Sequence, residues 1–143
     1  MIKRRVWHKT SRNRMPANRH YVKSKWVFKI KRNGVFRARL VACGYSQIPG
    51  VHFSESYSPV VHGIIFRLLI LAMIVLEISA KIVDVETAIL YGELEGEIYM
   101  ECPQGLKAKS SEVLILDMCI YGLLQSARQY HKKGCDDFEQ NRL

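Results

Sequence analysis

Lys25-Trp26-Val27-Phe28-Lys29-Ile30-Lys31-Arg32-Asn33-Gly34-Val35-Phe36-Arg37-Ala38-Arg39-Leu40 reads as a β-hairpin, and its register decides what the chain presents. Asn33-Gly34 is the turn signal. A two-residue loop would pair Ile30 with Arg37 and Phe28 with Arg39, mixing charge into an apolar face. A three-residue loop, Arg32-Asn33-Gly34, pairs Ile30 with Phe36, Phe28 with Ala38 and Trp26 with Leu40. The opposite face then carries Lys29, Lys31, Arg37 and Arg39. A one-residue slip moves every side chain across the sheet, so the sorted register should win. Glycine at the third loop position suits a left-handed residue. The expectation is a two-stranded ribbon with one apolar and one basic face, although the basic side chains could be no more than a solvated sheet surface.

Charge is unevenly spread around this hairpin. Met1 to Ser54 holds 14 Lys or Arg and no Asp or Glu, whereas Glu55 to Leu143 holds 8 basic and 13 acidic residues. A wholly basic first third points to a polyanion, nucleic acid before anionic membrane. The 143 residues suit one domain or a piece of a larger one, and 48% apolar content is enough for a core. Cys43, Cys102, Cys119 and Cys135 form no C-x-x-C spacing. They read as free thiols in a reducing, intracellular compartment (cytoplasm or nucleus) rather than a zinc site. The charged N-terminus does not read as a secretory leader. Leu68 to Leu76 is the longest uninterrupted apolar stretch near Arg67 and Glu77, and a membrane span needs about 20 residues. A buried helix over Gly63 to Ile78 is expected instead.

The chain divides into residues 1–22, basic and expected to be disordered, and residues 23–143. The first part could be a weak phosphate clamp, a nuclear address or meaningless upstream sequence. Beyond the hairpin, Cys43 to Pro59 reads as an irregular connection. Strands are expected over Ala80 to Val85, Glu97 to Cys102 and Val113 to Met118. A short helix should cover Glu86 to Tyr91, closed by Gly92. Pro103-Gln104-Gly105 should turn, and Leu123 onward should be helical. The mixture indicates an α+β (α/β-like mixed) fold with antiparallel strands and packed helices.

Lys81-Ile82-Val83-Asp84-Val85-Glu86-Thr87-Ala88-Ile89-Leu90-Tyr91-Gly92 carries the most chemistry. An apolar strand ending on Asp84 would hold a carboxylate in a fixed place, where it can bind a divalent cation. The lesser alternative is that Asp84 simply caps the following helix. A two-cation site needs at least two carboxylates. Asp136-Asp137 is the visible candidate for the rest, but it lies in an expected helix with no hairpin signal.

Taken in order, four stretches together resemble the reverse transcriptase of Ty1/copia-type retrotransposons: Lys25 to Lys31; Arg37 to Gln47; Tyr57-Ser58-Pro59-Val60-Val61; and Asp84-Val85 through Leu90-Tyr91-Gly92. Tyr121-Gly122-Leu123-Leu124-Gln125-Ser126-Ala127-Arg128 resembles a later family motif. The resemblance runs from about Lys23 to Tyr130 and implies the fingers and first half of the palm of a right-hand polymerase. It implies that Asp84 is the first catalytic aspartate and that the carbonyl of Val85 joins it on two magnesium ions. It implies that Arg37 and Arg39 meet the triphosphate of a dNTP and that Lys29 and Lys31 meet nucleic acid. Ile89 stands where an aromatic ring would exclude the 2′-hydroxyl, and Gln125 lies in the nucleotide-pocket segment. The implied partners are RNA or an RNA–DNA hybrid and dNTP. Glu86 and Cys43 depart from the family by replacing cations, and Leu124 and Ala127 replace Lys and Pro. The paired aspartates of a Tyr-x-Asp-Asp hairpin are expected beyond Leu143, and the thumb and the RNase H domain are lacking. Without the second and third catalytic aspartates, these residues are expected to be inactive alone. The alternative to a polymerase portion is a decayed remnant with at most weak, nonspecific nucleic-acid binding.

Overall fold

The computed structural model describes residues 5–81 and 84–140. Within it, β1 (Trp7–Ser11), β2 (Ser24–Ile30), β3 (Phe36–Ala42), α1 (Gly63–Val75), β4 (Glu93–Met100), β5 (Glu112–Met118) and α2 (Ser126–Gln140) follow in chain order. Short 3-10 turns cover Arg12–Arg14, Gly44–Ser46 and Ala88–Tyr91. The described residues thus form a mixed α+β fold whose sheets are antiparallel, β1-β5-β4 and β2-β3.

The hairpin adopts the three-residue loop. Ile30 faces Phe36, Phe28 faces Ala38 and Trp26 faces Leu40. The Lys31 amide donates to the Val35 carbonyl at 2.9 Å, and the Gly34 amide donates to the Lys31 carbonyl at 2.9 Å. Gly34 has φ +77°, where a side chain would be strained.

Within the N-terminal stretch expected to be disordered, Trp7–Ser11 is instead a strand of the sheet. β1 pairs with β5 from Trp7↔Leu116 to Ser11↔Glu112. Val6 and Val22, 1% and 0% exposed, bracket it in the core. The reason is that β5 is an apolar strand with two edges, and unpaired edge amides in a partly buried strand are costly. β4 satisfies one edge and β1 the other. Val22 extends the sheet on the far side of β4: its amide donates to the Tyr99 carbonyl at 2.8 Å, and Glu101 donates back to Val22 at 2.9 Å.

The core is small and continuous. Val6, Val22, Leu40, Ala42, Ile98, Met100, Leu114, Leu116, Ile120 and Leu123 pack together. Each large member contributes about 1.5–3 kcal/mol by leaving water. The base of the hairpin enters this core through Leu40 and Ala42. There the Ala42 amide donates to the Tyr121 carbonyl at 2.8 Å. Two glycines make the approach possible. A Cβ on Gly122 would overlap the Ala42 carbonyl and the Val41 side chain, and a Cβ on Gly44 would overlap the Gly122 carbonyl. Gly122 also has φ +93°.

β4 begins at Glu93, four residues before the expected strand, with a register shift between Glu93 and Ile98. α2 begins at Ser126 rather than Leu123, because Leu123 turns into the core and the Ser126 hydroxyl donates to the Ile120 carbonyl at 2.7 Å. α2 lies against β4 through Lys132–Glu95 (3.2 Å) and Lys133–Glu93 (3.3 Å) ion pairs. Asp136 and Asp137 sit within this helix, as expected, with Asp137 3.7 Å from Lys133. Pro103-Gln104-Gly105 turns, closed by the Leu106 amide on the Pro103 carbonyl at 3.2 Å.

Two expectations are corrected. The helix over Gly63 to Ile78 forms as α1, Gly63–Val75, but none of its residues is buried. Phe66 and Leu69 are 56% and 57% exposed. It is apolar around its whole circumference, so its pattern states a helix without stating which side meets a core. Of the strand expected to end at Asp84, Ala80, Lys81, Asp84 and Val85 have no regular structure, and Ile82 and Val83 lie outside the described residues.

Replacing Gly122 with Ala combines a strained backbone with a steric overlap. Urea unfolding should show a loss of about 3 kcal/mol or more. Gly134, inside α2 with open space around it, is the control. Gly134→Ala should stabilise by about 1 kcal/mol, and equal effects at the two sites would contradict the packing described.

Candidate nucleic-acid interface

The hairpin sorts its side chains as its register requires. On one face Trp26 and Phe28 stack, ring centroids 6.3 Å apart and 20° from parallel. Phe28, Ile30 and Phe36 continue that face and are exposed, Phe36 at 83%. On the other face Lys29 lies directly across from Arg37. Two like charges opposed on neighbouring strands destabilise a ribbon, and a bound anion between them removes that cost.

Arg39 is held more tightly. Its guanidinium lies 5.3 Å from the Tyr121 ring centroid, and the side chain is half-buried. Such a contact contributes about 0.5–1 kcal/mol when exposed and orients the planar fork. Arg37 and Arg39 line a cavity of about 820 Å³ with Trp26, Tyr121, Glu86 and Thr87. The Trp26 indole N–H donates to the Gln104 carbonyl at 2.9 Å, which pins the hairpin against the β4–β5 turn. The structure therefore brings the two arginines to the segment that follows Asp84. Lys29 and Lys31 are exposed further along the ribbon.

The other sequence-derived residues fare differently. Asp84 is exposed and outside regular structure, and Glu86 and Thr87 rather than Asp84 line the cavity. Val85 is 42% exposed. Among the described residues no three His, Cys, Asp or Glu side chains come together in a way that could hold a metal ion. Magnesium takes six oxygens in octahedral array and gives up water reluctantly, so one carboxylate and one carbonyl would leave most of its positions to water or to donors from elsewhere. Ile89 is half-buried in the 3-10 turn that follows Thr87, which has φ +56°. That turn is closed at Gly92, where an added Cβ would stand 3.1 Å from the Gln129 Cβ.

Gln125 is drawn into the protein rather than toward the arginines. It is 4% exposed. Its side-chain oxygen accepts from the Gln47 amide group at 3.0 Å, and its nitrogen donates to the His52 carbonyl at 3.3 Å. Gln47 in turn accepts from the Leu124 amide at 2.8 Å. His52 closes the group: Nδ1 accepts from the Ile48 amide at 2.8 Å and Nε2 donates to the His20 carbonyl at 2.8 Å. A backbone donor on one nitrogen and a backbone acceptor on the other fix a neutral ring protonated at Nε2. Sequence reasoning missed this network, because polar residues in an irregular stretch carry no period. It also missed Tyr121, whose ring direction depends on the turn at Gly122.

Burial sets the thiol chemistry. Cys119 is fully buried, and this desolvation pushes its pKa up to about 11 from 9.0, partly offset by the neighbouring Ser126 hydroxyl. Burial also raises the Cys102 pKa. Cys135 is exposed. A thiol-labelling time course should modify Cys135 first and Cys119 last, and early Cys119 labelling would contradict the packing. Because the folded pKa is raised, the stability tied to neutral Cys119 is complete below about pH 9. It declines as pH rises toward 11, and Cys119→Ala should flatten that decline.

The sequence profile of the family described as "Reverse transcriptase (RNA-dependent DNA polymerase)" matches residues 6–141. This extends the resemblance upstream into β1. The retrovirus-related Pol polyprotein from transposon TNT 1-94 of Nicotiana tabacum is 37% identical over 126 residues, covering 83% of this chain and 10% of the relative. The Pol polyproteins from transposons RE2 and RE1 of Arabidopsis thaliana are 33% and 32% identical over 123 residues, covering 81% of this chain and 8% of each relative. The chain therefore spans about a tenth of the length of the curated relatives it matches. No solved structure was found to match it.

Proposed function

This chain belongs to the reverse transcriptase family, as part of a copia-type retrotransposon Pol polyprotein, and from that premise we propose that it supplies the phosphate-holding ribbon of an RNA-directed DNA polymerase. The hairpin acts as the fingers. Lys29 and Lys31 contact the phosphates of RNA or an RNA–DNA hybrid, and Arg37 and Arg39 receive the triphosphate of a dNTP. The observation that carries this reading is the shared cavity, in which both arginines stand beside Glu86 and Thr87, just past the family's first aspartate position. Arginine suits the task because its planar fork holds two phosphate oxygens at once.

Asp84 is the carboxylate that would join a two-magnesium centre. The described residues do not complete that centre's donor set, so no catalytic step is assigned to them. Ile89 would leave the sugar edge of the nucleotide less sterically guarded than an aromatic ring. No described helix is long and apolar enough to cross a membrane, and an intracellular setting accords with four cysteines outside any disulfide.

Phosphate binding has a salt signature. Affinity for single-stranded RNA should fall steeply between low and physiological salt. Lys29→Glu with Lys31→Glu should weaken binding and make the log–log salt slope shallower by about 1.4, or about 0.7 per lost phosphate contact. Affinity indifferent to salt would remove phosphate contact as the mechanism.

The exposed α1 favours a second reading, that the chain alone is a remnant with weak, nonspecific binding. An apolar helix without cover promotes association. That reading expects poor solubility and a broad thermal transition. A soluble monomer with a single cooperative melt counts against it.

A further inference from the structure

We propose that the nucleic-acid path runs on from the hairpin into a second subsite formed by Arg12, Tyr21 and Lys109, so that one single strand spans both; this rests on the phosphate-binding reading above. Three cavities adjoin along the Glu101-to-Gly105 loop. The cavity holding Arg37 and Arg39 shares Trp26, Pro103 and Gly105 with one of about 610 Å³ lined by Lys25 and Phe28. That one shares all five loop residues with a third, of about 330 Å³, lined by Arg12, Tyr21 and Lys109. The Trp26–Gln104 hydrogen bond holds the dividing wall in place.

The third cavity has the two parts a single strand needs, cations for the backbone and one aromatic ring, Tyr21, for an unpaired base. The Arg12 guanidinium lies over Tyr21, 4.8 Å from the ring centroid. Lys109 lines the same cavity, on a loop whose Lys107 carbonyl accepts from the Lys9 ammonium. Two acids also line this cavity, Glu101 and Glu112. The Glu112 carboxylate is occupied by the Lys9 ammonium at 3.8 Å and the Lys109 amide at 3.0 Å. Paired in this way, Glu112 opposes an incoming phosphate less than an isolated carboxylate would. A strand is the occupant rather than a duplex, because a duplex keeps its bases stacked on each other and offers them to no aromatic side chain.

Fluorescence anisotropy on the whole chain tests this with single-stranded RNAs of about 4 and about 16 nucleotides, lengths that bracket single-domain sites. Arg12→Glu with Lys109→Glu should weaken the longer RNA about tenfold and make its salt slope shallower by about 1.4. The shorter RNA, seated at the hairpin, should change by less than about twofold. Tyr21→Leu should weaken a normal strand but not an abasic one, and an unchanged circular dichroism spectrum shows that each variant folds. Should Arg12→Glu/Lys109→Glu leave a salt-steep long-RNA affinity untouched, the second subsite is wrong while the hairpin reading stands. Equal losses on duplex and single-stranded RNA also overturn it. Absence of salt-steep binding in the unaltered chain removes both proposals.

Discussion

The contact between the hairpin base and the turn at Gly122 is the constraint on which the rest depends. Two backbones meet there with no room for a side chain on either glycine. The Ala42 amide bonds to Tyr121 across that contact, and Leu40 enters the core beside it. Because Tyr121 precedes Gly122, the same turn aims its ring at Arg39. A ribbon of two strands is only marginally stable alone. Docked in this way, it holds two arginines over the segment following Asp84 and sets its free end, with Lys29, Lys31 and Phe36, out in solvent.

Charge divides the chain, and burial reunites it. The basic first third supplies the hairpin and β1, and the acidic remainder supplies β4, β5 and α2, of which β4 and α2 are joined by Lys–Glu pairs. The core that unites them buries Val6 and Val22 from the basic part against Met100 and Leu114 from the acidic part. α1 stands apart from this core. Its exposed leucines and isoleucines add helix but little burial, so stability rests on the sheet and on α2.

What could be read from the sequence follows from how many arrangements each pattern allows. A hairpin with charge on alternate residues has two registers, and only one sorts Lys29, Arg37 and Arg39 from Phe28, Phe36 and Trp26. The start of α1 at Gly63 was legible, but its cover was not, since a helix without a polar side points nowhere. Asp84 was read as a strand end, yet it and Val85 have no regular structure. Trp7 to Ser11 was the converse: basic and without clear period, it became a strand because β5 needed an edge partner. Gln125 illustrates the limit for sites. The family motif named the position, while its direction was settled by Gln47 and His52, far away in sequence.

The most direct measurement is photo-crosslinking of single-stranded RNA to the unaltered chain, with the attachment sites mapped by mass spectrometry. Crosslinks at Trp26, Phe28 and Tyr121, lost at high salt, are the result expected of a docked ribbon that holds phosphates beside its aromatic residues. Crosslinks confined to α1 or α2, or a hairpin pattern indifferent to salt, would contradict it.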